Sequence, residues 1–163
     1  QNPIEQEGTY PLPEAQADRF LLKIKVGYPS YEEEVRIVDK YTSTLTEHRP
    51  KPLLNKKHIL DLQELTRQVP IANDLKTRAV KIVVATRESP DIIQYGASPR
   101  ASIGLILASK ARALMNGRNH ISSEDINFMA FPILRHRIIL NFEAERKGLT
   151  VEDAIDHLVK KVK

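Results

Sequence analysis

Prolines are the feature of this sequence that most limits how the chain can fold. Ten of its 163 residues are proline, only six are glycine, and aromatic residues make up 6% with no tryptophan. Because proline lacks a backbone N–H and its ring clashes with the preceding turn, it ends or kinks a helix in which it falls. The sequence therefore predicts a mainly α protein whose helices are separated by firm breaks.

Charge and cysteine content exclude several classes of protein. The chain has 25 Lys and Arg against 21 Asp and Glu, a formal net charge of +4, with basic and acidic residues interleaved. A dedicated nucleic-acid binder usually concentrates basic residues on one face, so no specific nucleic-acid partner is expected. The lack of cysteine excludes disulfides and thiolate zinc sites. No apolar run approaches the roughly 20 residues that span a bilayer, and no signal peptide opens the chain, so we expect a cytoplasmic protein.

Residues 1–29 are predicted to differ from the rest of the chain. Three prolines and a glycine among residues 1–13 indicate a loop, and a short helix is predicted from Glu14 to Asp18. Phe20 to Val26 has the apolar pattern of a strand. Because a single strand leaves its backbone groups without partners, it either pairs within an oligomer or has lost its sheet. We therefore expect residues 1–28 to be poorly anchored.

Every element predicted after residue 29 is a helix. Ser98 followed by Pro99 is the clearest start, because the serine hydroxyl can cap the first turn and proline there lacks only an N–H that would have no partner. Small residues along that helix predict close packing against a neighbour, and Asp91 to Ala97 is predicted to be a loop. The predicted helices start near Ser30, Asn55, Asn73, Ser98, Ser122 and Thr150. We expect residues 30–163 to fold as one cooperative unit.

The sequence contains no complete catalytic motif. Its five histidines lack the spacing of a metal site, which favours scattered surface or core histidines, and no metal site is predicted. There is no GxSxG elbow for a serine nucleophile and no GxxxxGK(S/T) loop for a nucleotide phosphate. Motifs alone therefore give this chain no catalytic site of its own.

Two arginines occupy places where a positive charge needs an explanation. Arg19 leads directly into the apolar segment, and Arg100 lies in the first turn of a helix, where the helix dipole disfavours cations. Arg19 could form a salt bridge with Glu14 or Asp18, and Arg100 could be a surface residue whose stem packs on its helix. The functional alternative is that both reach a phosphate, which the planar fork of arginine suits. The residues alone leave both interpretations open.

Three segments together resemble the MoxR-type AAA+ ATPases. They are residues 1–20 (QNPIEQEGTYPLPEAQADRF), Gly96 to Ser102 (GASPRAS) and Leu134 to Arg137 (LRHR). The resemblance covers nearly the whole chain and implies the C-terminal half of such an ATPase. Residues 1–29 would be the end of the α/β core, with a loop, a short helix and one strand. Residues 30–163 would be the α-helical lid domain, a helical bundle, with the phosphate-binding loop and the Walker B acids upstream.

The resemblance also implies roles for individual residues. Asn2 matches the sensor 1 residue, which helps to place the attacking water near the γ-phosphate. Arg19 matches the arginine finger, which reaches the neighbouring subunit's nucleotide and stabilises transition-state charge. Arg100 matches sensor 2, a cofactor-binding residue on the lid. Because the family has an extra helix before sensor 2, Arg100 could serve its own subunit's nucleotide or a neighbour's. Arg135 to Arg137 match the family pattern, and a structural link near the end of the lid is the simpler interpretation for them.

For the full-length protein, the resemblance implies ATP and Mg²⁺ as cofactors and a homo-oligomer, usually a hexameric ring. It also implies chaperone-like remodelling of partner proteins, some with von Willebrand A domains. No nucleotide is expected on this portion alone. Two alternatives stay open. One is a helical interaction or regulatory module without a nucleotide role. The other is a DNA-binding helical domain that uses the basic clusters Lys51 to Lys57 and Arg135 to Arg137.

Overall fold

The structure is a computed structural model that describes residues 12–43 and 50–162 of the chain. The described residues fall into two compact units. The first unit comprises residues 12–23 and 64–162, and the second comprises residues 24–43 and 50–63. That residues 30–163 fold as one cooperative unit concerns folding and stays a prediction.

The described residues are mostly helical, as predicted. No helix among them is long and apolar enough to cross a membrane. The elements in chain order are α1 (Glu14–Ala17), α2 (Tyr31–Thr42), α3 (Lys56–Gln68), α4 (Asn73–Ala85), β1 (Ile93–Tyr95), α5 (Pro99–Met115), α6 (Ser123–Leu134), β2 (Ile139–Leu140), α7 (Phe142–Arg146) and α8 (Val151–Lys161).

Several helices start at the predicted caps. The Ser98 hydroxyl accepts a hydrogen bond from the N–H of Arg100 at 3.2 Å, with Pro99 as the first residue of α5. At the start of α3, Asn55 Oδ1 accepts from the N–H of His58 at 2.9 Å. Reciprocal capping boxes start α2, α6 and α8. Short-range polar contacts therefore fix where these helices begin, which is why the sequence could predict them.

The core of the first unit is built around α5, which packs against both α4 and α6, while α8 packs against α6. Gly104 in α5 lies at a close approach, because an added Cβ would lie 3.1 Å from Ile133 Cδ1 and 3.2 Å from Leu21 Cδ1. The close packing predicted from the small residues of α5 is therefore confirmed. The largest fully buried apolar side chains are Ile82, Leu105, Ile126, Ile133, Leu134, Ile155 and Leu158.

A short antiparallel strand pair lies where a loop was predicted. Ile93 in β1 pairs with Leu140 in β2, and Tyr95 pairs with Ile139. The prediction of a loop from Asp91 to Ala97 is therefore wrong. Three residues are too few to show the two-residue period of a strand, and the partner strand comes only after α5 and α6 in the sequence.

The predicted strand from Phe20 to Val26 does not form. Residues 22–30 have no regular structure, and no strand of the described part of the chain pairs with them. Instead, the N–H of Lys23 donates to the carbonyl oxygen of Pro132 at 2.9 Å, and Leu22 packs against the core. Carbonyl oxygens in the last turn of a helix lack intrahelical donors, so Pro132 in α6 is free to accept this bond. The expectation that this segment is poorly anchored is therefore wrong for Leu22 and Lys23.

The second unit contains α2 and most of α3. The apolar residues of α2 recur at helical spacing, yet Tyr31, Val35, Val38 and Tyr41 are all exposed. The apolar residues of α2 thus have the spacing of an amphipathic helix, but they are not buried.

A buried carboxylate stabilises the junction between α5 and α6. Asp125 is fully buried and accepts hydrogen bonds from Arg112, from both Nη atoms of Arg118 at 2.6 and 2.7 Å, and from the N–H of Ser122 at 2.9 Å. The Arg118 hydrogen bonds hold the pKa of Asp125 far below its usual range against the opposing effect of burial, and contacts with Ser122 and Arg112 add to the shift. The capping box at Ser122 is therefore also part of an ion-pair cluster around a buried carboxylate.

We predict that Asp125→Asn lowers the free energy of unfolding by about 3 kcal/mol, because the fully buried carboxylate that pairs with Arg112 and Arg118 is replaced by an uncharged amide whose N–H groups face the two guanidinium groups. Asp153→Asn is the matched control. It changes the same side chain in the exposed capping box of α8, where Thr150 is the partner, and should cost about 1 kcal/mol. Urea denaturation of both variants measures the difference, and equal losses would contradict the prediction.

The same prediction has a pH dependence. Because the folded-state pKa of Asp125 is lowered, its contribution is complete above the unfolded-state pKa of about 3.9 and is lost as the pH falls toward the folded-state value. The stability difference between wild type and Asp125→Asn should therefore shrink on acidification below about pH 4.

Candidate functional site

The sequence predicts three functional residues, of which the structure describes two. Asn2 lies outside the described residues. Arg19 follows α1 closely and is exposed. Arg100 is the second residue of α5, with 61% of its side chain exposed. Both described arginines are therefore accessible to an anion from solvent.

Asp18 is the residue around which the site is built. Its carboxylate accepts hydrogen bonds from the Ser98 hydroxyl at 2.9 Å, from Arg100 Nη1 at 3.0 Å and from Arg137 Nε at 3.1 Å. Burial opposes the ionisation of Asp18, but the hydrogen bonds from Ser98, Arg100 and Arg137 outweigh it and lower the pKa of Asp18. An ionised carboxylate thus joins the end of α1 to the start of α5 and to the turn after α6.

Arg137 holds the chain on both sides of Arg19. Its side chain is only 2% exposed. Besides the Asp18 carboxylate, its guanidinium donates to the backbone carbonyl oxygens of Asp18 at 3.0 Å, Leu21 at 3.2 Å and Phe20. Burial lowers the pKa of Arg137, and the contact with Asp18 raises it. Since arginine stays protonated in proteins, the group is a buried cation that uses most of its donors to fix one short segment and also donates to the carbonyl oxygen of Ile133 in α6.

Arg19 lies outside this network. Within residues 12–43 and 50–162, its guanidinium forms no ion pair, and the salt bridge with Glu14 or Asp18 considered from the sequence is not formed. The Asp18 carboxylate is bound by Arg100 and Arg137 instead. The backbone around Arg19 is therefore fixed while its side chain extends into solvent.

Arg135 and His136 contact the same segment as Arg137. Arg135 donates to the carbonyl oxygen of Lys23 at 3.1 Å and pairs with Glu152 at 3.4 Å. His136 Nε2 lies 2.9 Å from the carbonyl oxygen of Phe20, and burial lowers the pKa of its imidazole. The structural link predicted for these residues is therefore present. Because their charged groups are occupied in these contacts, they do not form the exposed basic patch that DNA binding would require.

Sequence reasoning missed two members of the site. The sequence indicates Asp18 only as a possible salt-bridge partner of Arg19, and Ser98 only as a helix cap. Both lie inside the two segments that carry the family resemblance, beside Arg19 and Arg100 respectively. That adjacency is the signal that the sequence offers. It does not show the contacts themselves, because Asp18 lies 80 positions from Ser98 and 119 positions from Arg137.

The described residues fit the phosphate part of a nucleotide better than its metal ion. Exposed guanidinium groups can form paired hydrogen bonds with phosphate oxygens, and Arg19 and Arg100 are such groups. In the part of the chain that the structure describes, no three His, Asp or Glu side chains converge as metal ligands.

Comparison with known proteins decides the family. Residues 84–158 match the AAA lid domain, and residues 1–22 match the ATPase family associated with various cellular activities. Over 99% of its length, the chain is 39% identical to the chaperone MoxR1 of Mycobacterium tuberculosis, of which it covers 45%. The chain belongs to the MoxR-type AAA+ ATPases.

Two further similarities support the assignment of this MoxR-type chain. It is 39% identical over its full length to the protein YeaC of Bacillus subtilis, of which it covers 51%. A crystal structure from Cytophaga hutchinsonii that is assigned as an ATPase superposes with a TM-score of 0.91 at 37% identity, covering 100% of this chain and 52% of that one. The chain thus spans about half the length of the relatives that it matches.

The family matches place the Asp18 network between two segments of a MoxR-type protein. Asp18 and Arg19 lie in the segment that matches the ATPase family, while Arg100 and Arg137 lie in the segment that matches the lid domain. The two ion pairs of Asp18 therefore join the lid segment to the ATPase segment.

We predict that the two arginines on Asp18 differ in their contribution to stability of the MoxR-type chain. Arg137→Ala should lower the free energy of unfolding by about 3 kcal/mol or more, because a buried partner is lost. Arg100→Ala removes an exposed partner of the same carboxylate and should cost about 1 kcal/mol or less. Denaturant unfolding monitored by circular dichroism measures both, and a loss for Arg100→Ala as large as that for Arg137→Ala would contradict the prediction.

Proposed function

We propose that this chain forms the end of the ATPase core and the lid of a MoxR-type ATPase, with Arg19 as the arginine finger, Arg100 as sensor 2 and Asn2 as sensor 1. In this proposal, residues 1–29 belong to the core and residues 30–163 to the lid. The observation that carries it is the exposed Arg19 side chain on a backbone segment fixed by Arg137. A group that acts on the phosphate of another molecule needs this combination of reach and fixed position.

Each arginine has a distinct role in the proposed reaction. Arg19 stabilises the negative charge that develops as the γ-phosphoryl group is transferred to water, an effect worth about 10³ to 10⁵ in rate in related enzymes. Arg100 contacts the γ-phosphate and makes the lid position depend on the nucleotide. Asn2 orients the attacking water. Bound ATP supplies the phosphoryl group, and its Mg²⁺ would be held by residues upstream of this chain.

The assembly and its clients are part of the same proposal. An arginine finger acts across a subunit boundary, so the full-length protein is a homo-oligomer, which we propose to be a hexameric ring. The Mycobacterium tuberculosis relative is named a chaperone, which supports remodelling or maturation of partner proteins as the use of ATP hydrolysis. Partners with von Willebrand A domains and a cytoplasmic location stay predictions from the sequence.

A helical interaction module without a nucleotide role is the second candidate. The observation that favours it is the exposed apolar face of α2, formed by Tyr31, Val35, Val38 and Tyr41. The two candidates differ in one respect that is simple to measure. An interaction module gains no ATPase activity when the upstream half of the protein is supplied, whereas the proposed ATPase half does.

We predict that residues 1–163 alone release no phosphate from ATP above a no-protein blank. The reason is that the backbone N–H groups and lysine of a phosphate-binding loop are absent from the sequence. Addition of the upstream half should restore phosphate release that depends on Mg²⁺. Phosphate release by residues 1–163 alone, abolished when Mg²⁺ is chelated, would contradict the prediction.

We predict that Arg19→Ala abolishes turnover in the full-length protein while leaving ATP affinity nearly unchanged. The finger acts on charge that develops in the transition state, so its loss should lower kcat rather than ground-state binding. Arg146→Ala, which changes an exposed arginine at the end of α7, is the matched control and should keep the wild-type kcat.

Mixed rings provide the second measurement for Arg19. Subunits with Arg19→Ala and subunits with an inactivated phosphate-binding loop should together recover activity, because some interfaces then pair an intact finger with an intact site. ATP hydrolysis by Arg19→Ala at the wild-type rate would show that Arg19 is not the finger.

A further inference from the structure

The contacts of Arg137 fix the backbone on both sides of Arg19. Its guanidinium donates to the carbonyl oxygens of Asp18 and Phe20, the residues immediately before and after Arg19, and to that of Leu21. The N–H groups of Arg19 and Phe20 are also bonded, each at 3.1 Å, to the last turn of α1. The direction in which the Arg19 side chain leaves the first unit is therefore set largely by one buried guanidinium.

Arg135 provides a matched comparison on the same element. It is also an arginine after α6, and it also donates to a carbonyl oxygen of the N-terminal segment. Its acceptor is Lys23, however, which lies beyond the residues that flank Arg19. If Arg137 only anchored the segment to the helices, a change at Arg135 should have a similar effect on function.

We propose that Arg137 is a positioning residue for Arg19, and that Asp18 connects this position to Arg100. Asp18 shares its carboxylate between the buried Arg137 and the exposed Arg100. The proposal rests on the proposed function of Arg19 as the arginine finger, and it adds the residues that hold the finger in place. Because Arg100 and Arg137 both belong to the lid match, the finger of each subunit moves with the lid of the same subunit.

The test compares Arg137→Lys with Arg135→Lys in the full-length protein. Lysine keeps the charge at position 137 but lacks the planar fork that serves several carbonyl oxygens at once. A displacement of about 1 Å at a reacting group can cost roughly 100-fold in rate. We expect Arg137→Lys to lower kcat by about 10- to 100-fold, with the Kd for ATP changed by no more than about 2-fold. Arg135→Lys should keep the wild-type kcat.

Mixed rings separate positioning from a structural defect. Arg137→Lys subunits are assembled with phosphate-loop-inactive subunits that retain Arg19 and Arg137. If Arg137 acts through Arg19, the intact fingers of the inactive subunits serve the intact sites of the Arg137→Lys subunits, and activity rises above that of either parent ring. A defect in the folding or nucleotide site of the Arg137→Lys subunit itself would not be rescued in this way.

Each outcome bears on a definite claim. A wild-type kcat for Arg137→Lys overturns the inference. The inference is also overturned if Arg137→Lys has a low kcat that mixed rings do not raise, although mixed rings do restore activity to Arg19→Ala. Arg19→Ala at the wild-type rate would instead contradict the proposed function, so the two failures are distinguishable. If Arg137→Lys does not fold, Asp18→Asn takes its place, since it removes the charge that Arg137 shares with Arg100. A folded Asp18→Asn variant with the wild-type kcat overturns the inference.

Discussion

The buried guanidinium of Arg137 determines how the N-terminal segment meets the helices of the first unit. Burying an unpaired ion costs several kcal/mol, so the charge needs both a counterion and acceptors for its N–H groups. Asp18 supplies the counterion, and the carbonyl oxygens of Asp18, Phe20 and Leu21, together with that of Ile133 in α6, supply the acceptors. If Phe20 to Val26 formed a strand within a sheet, the carbonyl oxygens of Phe20 and Leu21 would accept hydrogen bonds from neighbouring strands instead. The irregular backbone at Phe20 and the burial of Arg137 are therefore consequences of one constraint.

The parts of the fold that the sequence predicted depend on local interactions. Caps at Ser30, Asn55, Ser98, Ser122 and Thr150 are contacts within four residues, and each is formed as predicted. Two of the errors, a strand that is not formed and a strand pair that was not predicted, concern long-range pairing. A short apolar segment is compatible with a strand, a docked extended segment or a loop, and the partner decides among them.

For the candidate site, the sequence likewise predicted individual residues but not the long-range contacts between them. Arg19 and Arg100 could be identified because an arginine before an apolar segment and one at a helix N-terminus are both unusual, and because each lies in a family segment. The network that relates them could not, because Asp18 and Arg137 are 119 residues apart and are brought together only by the tertiary fold. Nothing in the local pattern of LRHR distinguishes the buried arginine, Arg137, from its neighbour Arg135.

The two carboxylate clusters of the first unit show why one of them is suited to function. Asp125 is fully buried between two arginines and next to Ser122, so no outside anion can replace it without a large cost in desolvation. Asp18 has one buried arginine and one exposed arginine. An exposed ion pair contributes only about 0–1 kcal/mol, so Arg100 can exchange Asp18 for a phosphate at little cost, while Arg137 keeps Asp18 in place. In the function that we propose, this unequal burial lets Arg100 respond to a ligand while Arg137 preserves the segment that carries Arg19.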